Sequence, residues 1–127
     1  MEDKIKKAAF LLYSSILDGI RELVSRYADG VSLKFLYRYV NDDCEQDIYR
    51  VKKVWVEDGK VFCLYDSFNN SDYPSDVYYA DDDCFENEQT DCLSEFTVDS
   101  IYPFDVDFVW AIYCNLRDWT IPRLEED

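Results

Sequence analysis

Carboxylates are the side chains of this chain with the greatest capacity for chemistry. Thirteen of them lie between Val61 and Leu116: Asp66, Asp72, Asp76, Asp81, Asp82, Asp83, Glu86, Glu88, Asp91, Glu95, Asp99, Asp105 and Asp107. No lysine or arginine interrupts that stretch, whereas residues 1–60 carry eleven acids and eleven bases. Carboxylates in such numbers suggest three chemistries: calcium coordination, paired acid–base cleavage of a glycosidic bond, or an anionic docking surface. A calcium loop started at Asp81 has Asp83 at its third position. It then has Phe85 at the fifth, Glu86 where glycine is required and Cys92 where the closing glutamate belongs. A loop started at Asn41 supplies Asp43 and Glu45, but Gln46 replaces the glycine and Lys52 the glutamate. Neither is a calcium loop, and a weak, non-specific cation site in residues 81–91 is the most that remains. Two carboxylates at a glycosidase separation arise by chance among 28 acids, so their number does not point to that reaction.

Other chemistries are excluded by what is missing. The chain contains no histidine, which removes Ser–His and Cys–His catalysis and all histidine-ligated metal sites. Cys44, Cys63, Cys84, Cys92 and Cys114 include no C-x-x-C pair, and no phosphate-binding glycine motif is present. An odd number of irregularly spaced cysteines indicates free thiols and a reducing, cytoplasmic setting. Cys63 and Cys114 sit in apolar patterns, and Cys84 and Cys92 flank an acidic loop. The reading is of a protein that is not an enzyme, with no cofactor and no metal.

What remains is a surface. A rigid domain carrying a row of carboxylates presents a field like that of duplex DNA, with its phosphate every ~1.7 Å of axis. It attracts cationic surfaces and repels nucleic acid, most strongly at low salt. Tyrosines, enriched at interfaces for their apolar body and polar tip, stand among the acids. The expected partner-binding residues are Asp66, Asp72, Tyr73, Asp76, Tyr78, Tyr79, Asp81, Asp82, Asp83, Glu86, Glu88 and Asp91. Trp119 is a candidate exposed anchor, and Trp55 and Trp110 are expected in the core. In size and charge the chain resembles small acidic inhibitors: nucleic-acid mimics that block nucleases, or immunity proteins that neutralise basic toxins. No motif carries that likeness, so no residue roles follow from it. The expected partner is a basic protein surface, such as that of a DNA- or RNA-binding protein or nuclease, with no direct nucleic-acid or membrane contact. The alternative is a monomeric or homodimeric scaffold domain whose acidity serves only solubility, with Leu11 marking its contact.

These residues need elements to position them. With 127 residues, 48% hydrophobic and 17% aromatic, residues 1–127 read as one α+β domain. Lys4, Lys6 and Lys7 before an apolar run loosely imitate a signal peptide. Glu2, Asp3 and the interrupting Tyr13-Ser14-Ser15 oppose that reading. Ile5, Ala8, Ala9, Leu12, Ile16, Ile20, Leu23, Val24 and Tyr27 recur at helical spacing, ended by Asp29-Gly30. Val31 to Tyr39 alternates as a strand. A second strand, Ile48–Val56, slips register at Lys52-Lys53, and Asp58-Gly59 turns it back into a third, Val61–Tyr65. Residues 66–76 read as a loop, Val77–Ala80 as a short fourth strand, 81–92 as irregular, and Glu95–Val98 as a fifth strand. A last helix runs from Asp105 to about Trp119, with Val106, Val109, Trp110, Tyr113 and Leu116 on its apolar face. The whole predicts an antiparallel meander of three to five strands with the amino- and carboxyl-terminal helices packed on one face.

Overall fold

The computed structural model describes residues 2–40, 46–68 and 84–124. Helix α1 (Glu2–Val24) is followed by strands β1 (Val31–Val40), β2 (Gln46–Glu57), β3 (Lys60–Phe68) and β4 (Phe85–Cys92), and helix α2 (Pro103–Leu124) comes last. The strands pair antiparallel in the order β1-β2-β3-β4, a meander, so the α+β architecture is as the sequence predicts. One apolar cluster joins both helices to a single face of the sheet. Tyr13, Ile16, Leu17, Ile20 and Val24 of α1 and Phe108, Val109, Ile112 and Leu116 of α2 meet Val31, Val51, Val54, Val61 and Cys63. Burial pushes the Cys63 thiol up to about 12.

Local chemistry explains the central strands. Asp58 (φ 54°) and Gly59 (φ 77°) both have positive φ, as a type I′ turn requires, and Glu57 pairs with Lys60 across it. The β2–β3 register shifts between Val51 and Lys53, the bulge foreshadowed by the Lys52-Lys53 slip. Gly30 has φ 80°. A Cβ there would stand 2.6 Å from the Trp55 Cβ and 2.8 Å from the Val54 carbonyl oxygen.

Several expectations are corrected. Helix α1 stops at Val24, so Gly30 does not cap it but lets the chain pass close to β2. Its buried face is rotated toward Tyr13 and Leu17, leaving Ile5, Ala8 and Leu12 exposed. Tyr13 tolerates burial because its hydroxyl donates to the Leu93 carbonyl at 2.6 Å. The acidic run 81–92 is not irregular throughout: Phe85–Cys92 is edge strand β4, bent at Asn87 (φ 60°). Cys84 and Cys92 therefore stand at opposite ends of one strand, both as free thiols. No fifth strand forms at Glu95–Val98. Instead Val98–Ser100 is a 3-10 turn, held by Thr97 N–H donating to Ser100 Oγ at 2.7 Å. Helix α2 begins at Pro103, where a missing N–H costs nothing, and continues past Trp119 with Pro122 in its last turn. Phe108 and Ile112 are buried on α2, whereas Trp110 is 51% exposed. Trp55 lies partly buried, stacked on Phe62. Trp119 is no free anchor: Tyr27 packs edge-on at 5.1 Å and the Arg123 guanidinium lies 3.9 Å over its ring. The β3 strand extends to Phe68, into the expected 66–76 loop, and the Val77–Ala80 strand lies outside the described residues.

Candidate functional site

Of the twelve residues expected to meet a partner, Asp66, Glu86, Glu88 and Asp91 are described. Asp72, Tyr73, Asp76, Tyr78, Tyr79, Asp81, Asp82 and Asp83 lie outside the described residues. Alternation along β3 puts Asp66 on the sheet face away from the helices, and only 4% of it is exposed. Arg50 grips it from β2, with Nε 3.0 Å from Oδ1 and Nη2 2.7 Å from Oδ2, while Lys52 Nζ lies 3.5 Å from Oδ2. Lys52 also ion-pairs with Glu88 on β4, and that hydrogen bond is the main reason its ammonium is held above the usual lysine range. The Arg50 guanidinium sits 4.0 Å over the Phe85 ring. Glu86 lines a cleft on this face with Lys34, Arg50, Lys52 and Asp66. Bases from the amino-terminal half thus neutralise Asp66 and Glu88.

Asp91 belongs to the other face. It pairs in register with Cys63, on the helix side of the sheet, and accepts a hydrogen bond from the Tyr65 hydroxyl at 2.6 Å. There it borders a cleft of about 490 Å³ between the β3–β4 edge, the segment after β4 and the start of α2. The walls are aromatic. Tyr49 lies 5.7 Å from Tyr65 and 5.9 Å from Phe104, and Phe104 stacks on Phe108 at 5.6 Å. Asp105 enters from α2, where its carboxylate reaches back to accept the Tyr102 N–H at 2.9 Å and so caps the helix. Burial pushes the Asp105 carboxyl above the usual carboxylate range despite that hydrogen bond. Burial, and next the Asp105 charge, drive the Tyr13 hydroxyl well above ordinary tyrosine values. Burial and the Asp91 hydrogen bond do the same to Tyr65.

Among the described residues, the carboxylates of 84–116 other than Glu86 divide into two sets. Glu88 pairs with Lys52, and Glu95 lies 3.7 Å from Lys60. Asp91, Asp99, Asp105 and Asp107 make no ion pair with any described residue. Sequence reasoning does not single out Asp99, Asp105 or Asp107 as site residues. The signal available for Asp105 is its place in the first turn of a helix, which indicates a dipole contact rather than a cleft. No three Cys, Asp or Glu side chains among the described residues form a group that would hold a metal ion. None of the described helices is long and apolar enough to cross a membrane. Compared with known protein families, curated proteins and solved structures, the chain matches none.

Proposed function

We propose that this chain is an acidic binding protein that docks onto a basic protein surface, in its most concrete form as a nucleic-acid mimic that occupies the binding site of a DNA- or RNA-binding protein or nuclease. The observation that carries this reading is the set of carboxylates without an ion-pair partner among the described residues, Asp91, Asp99, Asp105 and Asp107, in a stretch from which lysine and arginine are absent. Solubility alone does not require bases to vanish for that length. An unpaired carboxylate also keeps its full charge for a partner, whereas the charge of Asp66 is already matched by Arg50. The acidic run Asp81-Asp82-Asp83 adds to the same sign of field.

The test is retention of proteins on the immobilised chain at about 50 mM salt, then elution with duplex DNA or by a step to roughly 200 mM. Mimicry predicts that duplex DNA displaces what is bound, and that Asp99→Asn with Asp107→Asn, or Asn at 81–83, weakens retention. Retention indifferent to both salt and DNA would refute it. A second reading, a homodimeric scaffold, is favoured by one observation: Leu12 (53% exposed) and Trp110 (51%) line one groove between α1 and α2. It predicts a dimer in sedimentation that Trp110→Ser dissolves and salt does not.

A further inference from the structure

The aromatic cleft beside β4 has a chemistry of its own, although two of the carboxylates it holds, Asp91 and Asp105, also belong to the set that carries the docking reading. We infer that it is a binding site for a small primary amine carried on an aryl or branched alkyl body. Its volume, about 490 Å³, falls within the range of small-molecule sites and exceeds what the tip of one inserted side chain needs. Among the described residues lining it there is no lysine or arginine, while Asp91 from β4 and Asp105 from α2 line it without an ion-pair partner; the third carboxylate there, Glu95, lies 3.7 Å from Lys60.

Neither carboxylate is saturated. Asp91 accepts from the Tyr65 hydroxyl and Asp105 from the Tyr102 N–H, and an ionised carboxylate has about four acceptor positions. An ammonium group supplies three donors and the missing positive charge. Rings of Tyr49, Tyr65, Phe104 and Phe108 supply the apolar wall and the electron-rich faces to which a cation is drawn. An anion would meet two carboxylates, and a neutral ligand would leave both charges in a partly dry cleft. A quaternary ammonium could use the rings but offers no donor to the carboxylates.

The experiment titrates the full chain, isotopically labelled, with phenethylammonium at neutral pH and follows amide shifts. Saturable shifts confined to Asp91–Phe96 and Phe104–Val109 are expected, with phenethyl alcohol and tetramethylammonium at least tenfold weaker and phenylacetate not binding. Asp91→Asn and, separately, Tyr49→Leu should each weaken the amine at least fivefold. Should either variant fold poorly, the ligand series on the unaltered chain decides between the outcomes. Equal binding of the alcohol, or non-saturating shifts spread over all exposed acids, would overturn the site. Tighter binding of Nα-acetyl-lysine methylamide than of phenethylammonium would overturn the assignment to a small aryl or branched alkyl amine and mark the cleft as a pocket for a partner's lysine.

Discussion

At the scale of single residues the most consequential pair is Arg50 with Asp66. Both side chains are nearly shielded from water, at 11% and 6% exposure, and they meet through two hydrogen bonds. Breaking such a pair from one side leaves an uncompensated charge, a loss of about 3 kcal/mol, whereas removing both partners in favour of apolar side chains of similar volume is often neutral. Asp66→Asn should therefore lower stability in urea unfolding by about 3 kcal/mol, whereas Asp66→Leu combined with Arg50→Met should lose less than about 1 kcal/mol. Additive losses in the double variant would show that the pair holds the sheet by more than charge compensation. The same pair shows why a list of acids is an unreliable map of a binding surface. In the sequence Asp66 is the first of thirteen unmatched carboxylates; in the fold its match is sixteen residues back, on the neighbouring strand.

At the scale of elements, two glycines with nearly equal φ are under different constraints. Gly59 has open space where a Cβ would stand, so Gly59→Ala meets only the left-handed backbone penalty of about 1 kcal/mol. Gly30 meets that penalty and also the Trp55 Cβ and the Val54 carbonyl, which are strand backbone and its root and cannot swing away. Gly30→Ala should cost about 3 kcal/mol or more, at least twice the loss at Gly59, and the two urea midpoints compare them directly. The turn at Asp58-Gly59, the β1 alternation and the bulge at Lys52 were legible because each is a local preference the neighbouring elements reinforce. Strand β4 was not. Glu86-Asn87-Glu88-Gln89-Thr90-Asp91 shows no apolar alternation, because an edge strand can be held by its hydrogen bonds to β3 while its side chains stay in water. The start of α1 misleads for the opposite reason: Ile5 and Leu12 keep the helical period although they are largely exposed among the described residues, so periodicity reveals the helix but not the face that packs. The aromatic cleft was out of reach because its rings come from α1, β2, β3, the segment after β4 and α2. Only Tyr49 and Tyr65 on facing strands and the Phe104/Phe108 spacing hinted at it.

At the scale of the whole molecule the net charge of −15 opposes compaction, and the folded state bears more of that repulsion than the expanded one. Asp105 acts in the same direction. Its carboxyl titrates higher in the fold than its ordinary 3.8, because burial penalises the charged form. Between those two values the folded state binds more protons than the unfolded state, so stability rises as pH falls through that window and is lower above it. Both effects predict greater resistance to urea at pH 5 than at pH 7.5 in low salt, until protonation of the carboxylates in ion pairs reverses the trend at more acid pH. They separate by screening. Long-range repulsion between exposed carboxylates fades as the Debye length shrinks to about 8 Å at physiological ionic strength, whereas the burial penalty on Asp105 is local and persists. Raising salt at pH 7.5 should therefore stabilise the chain and remove most of the pH difference, and Asp105→Asn should remove what remains. A chain more stable at pH 7.5 than at pH 5 in low salt would mean that carboxylates favoured by the fold in their ionised form outweigh the unpaired ones. The surface would then be already balanced from within, with little field left to draw a basic partner.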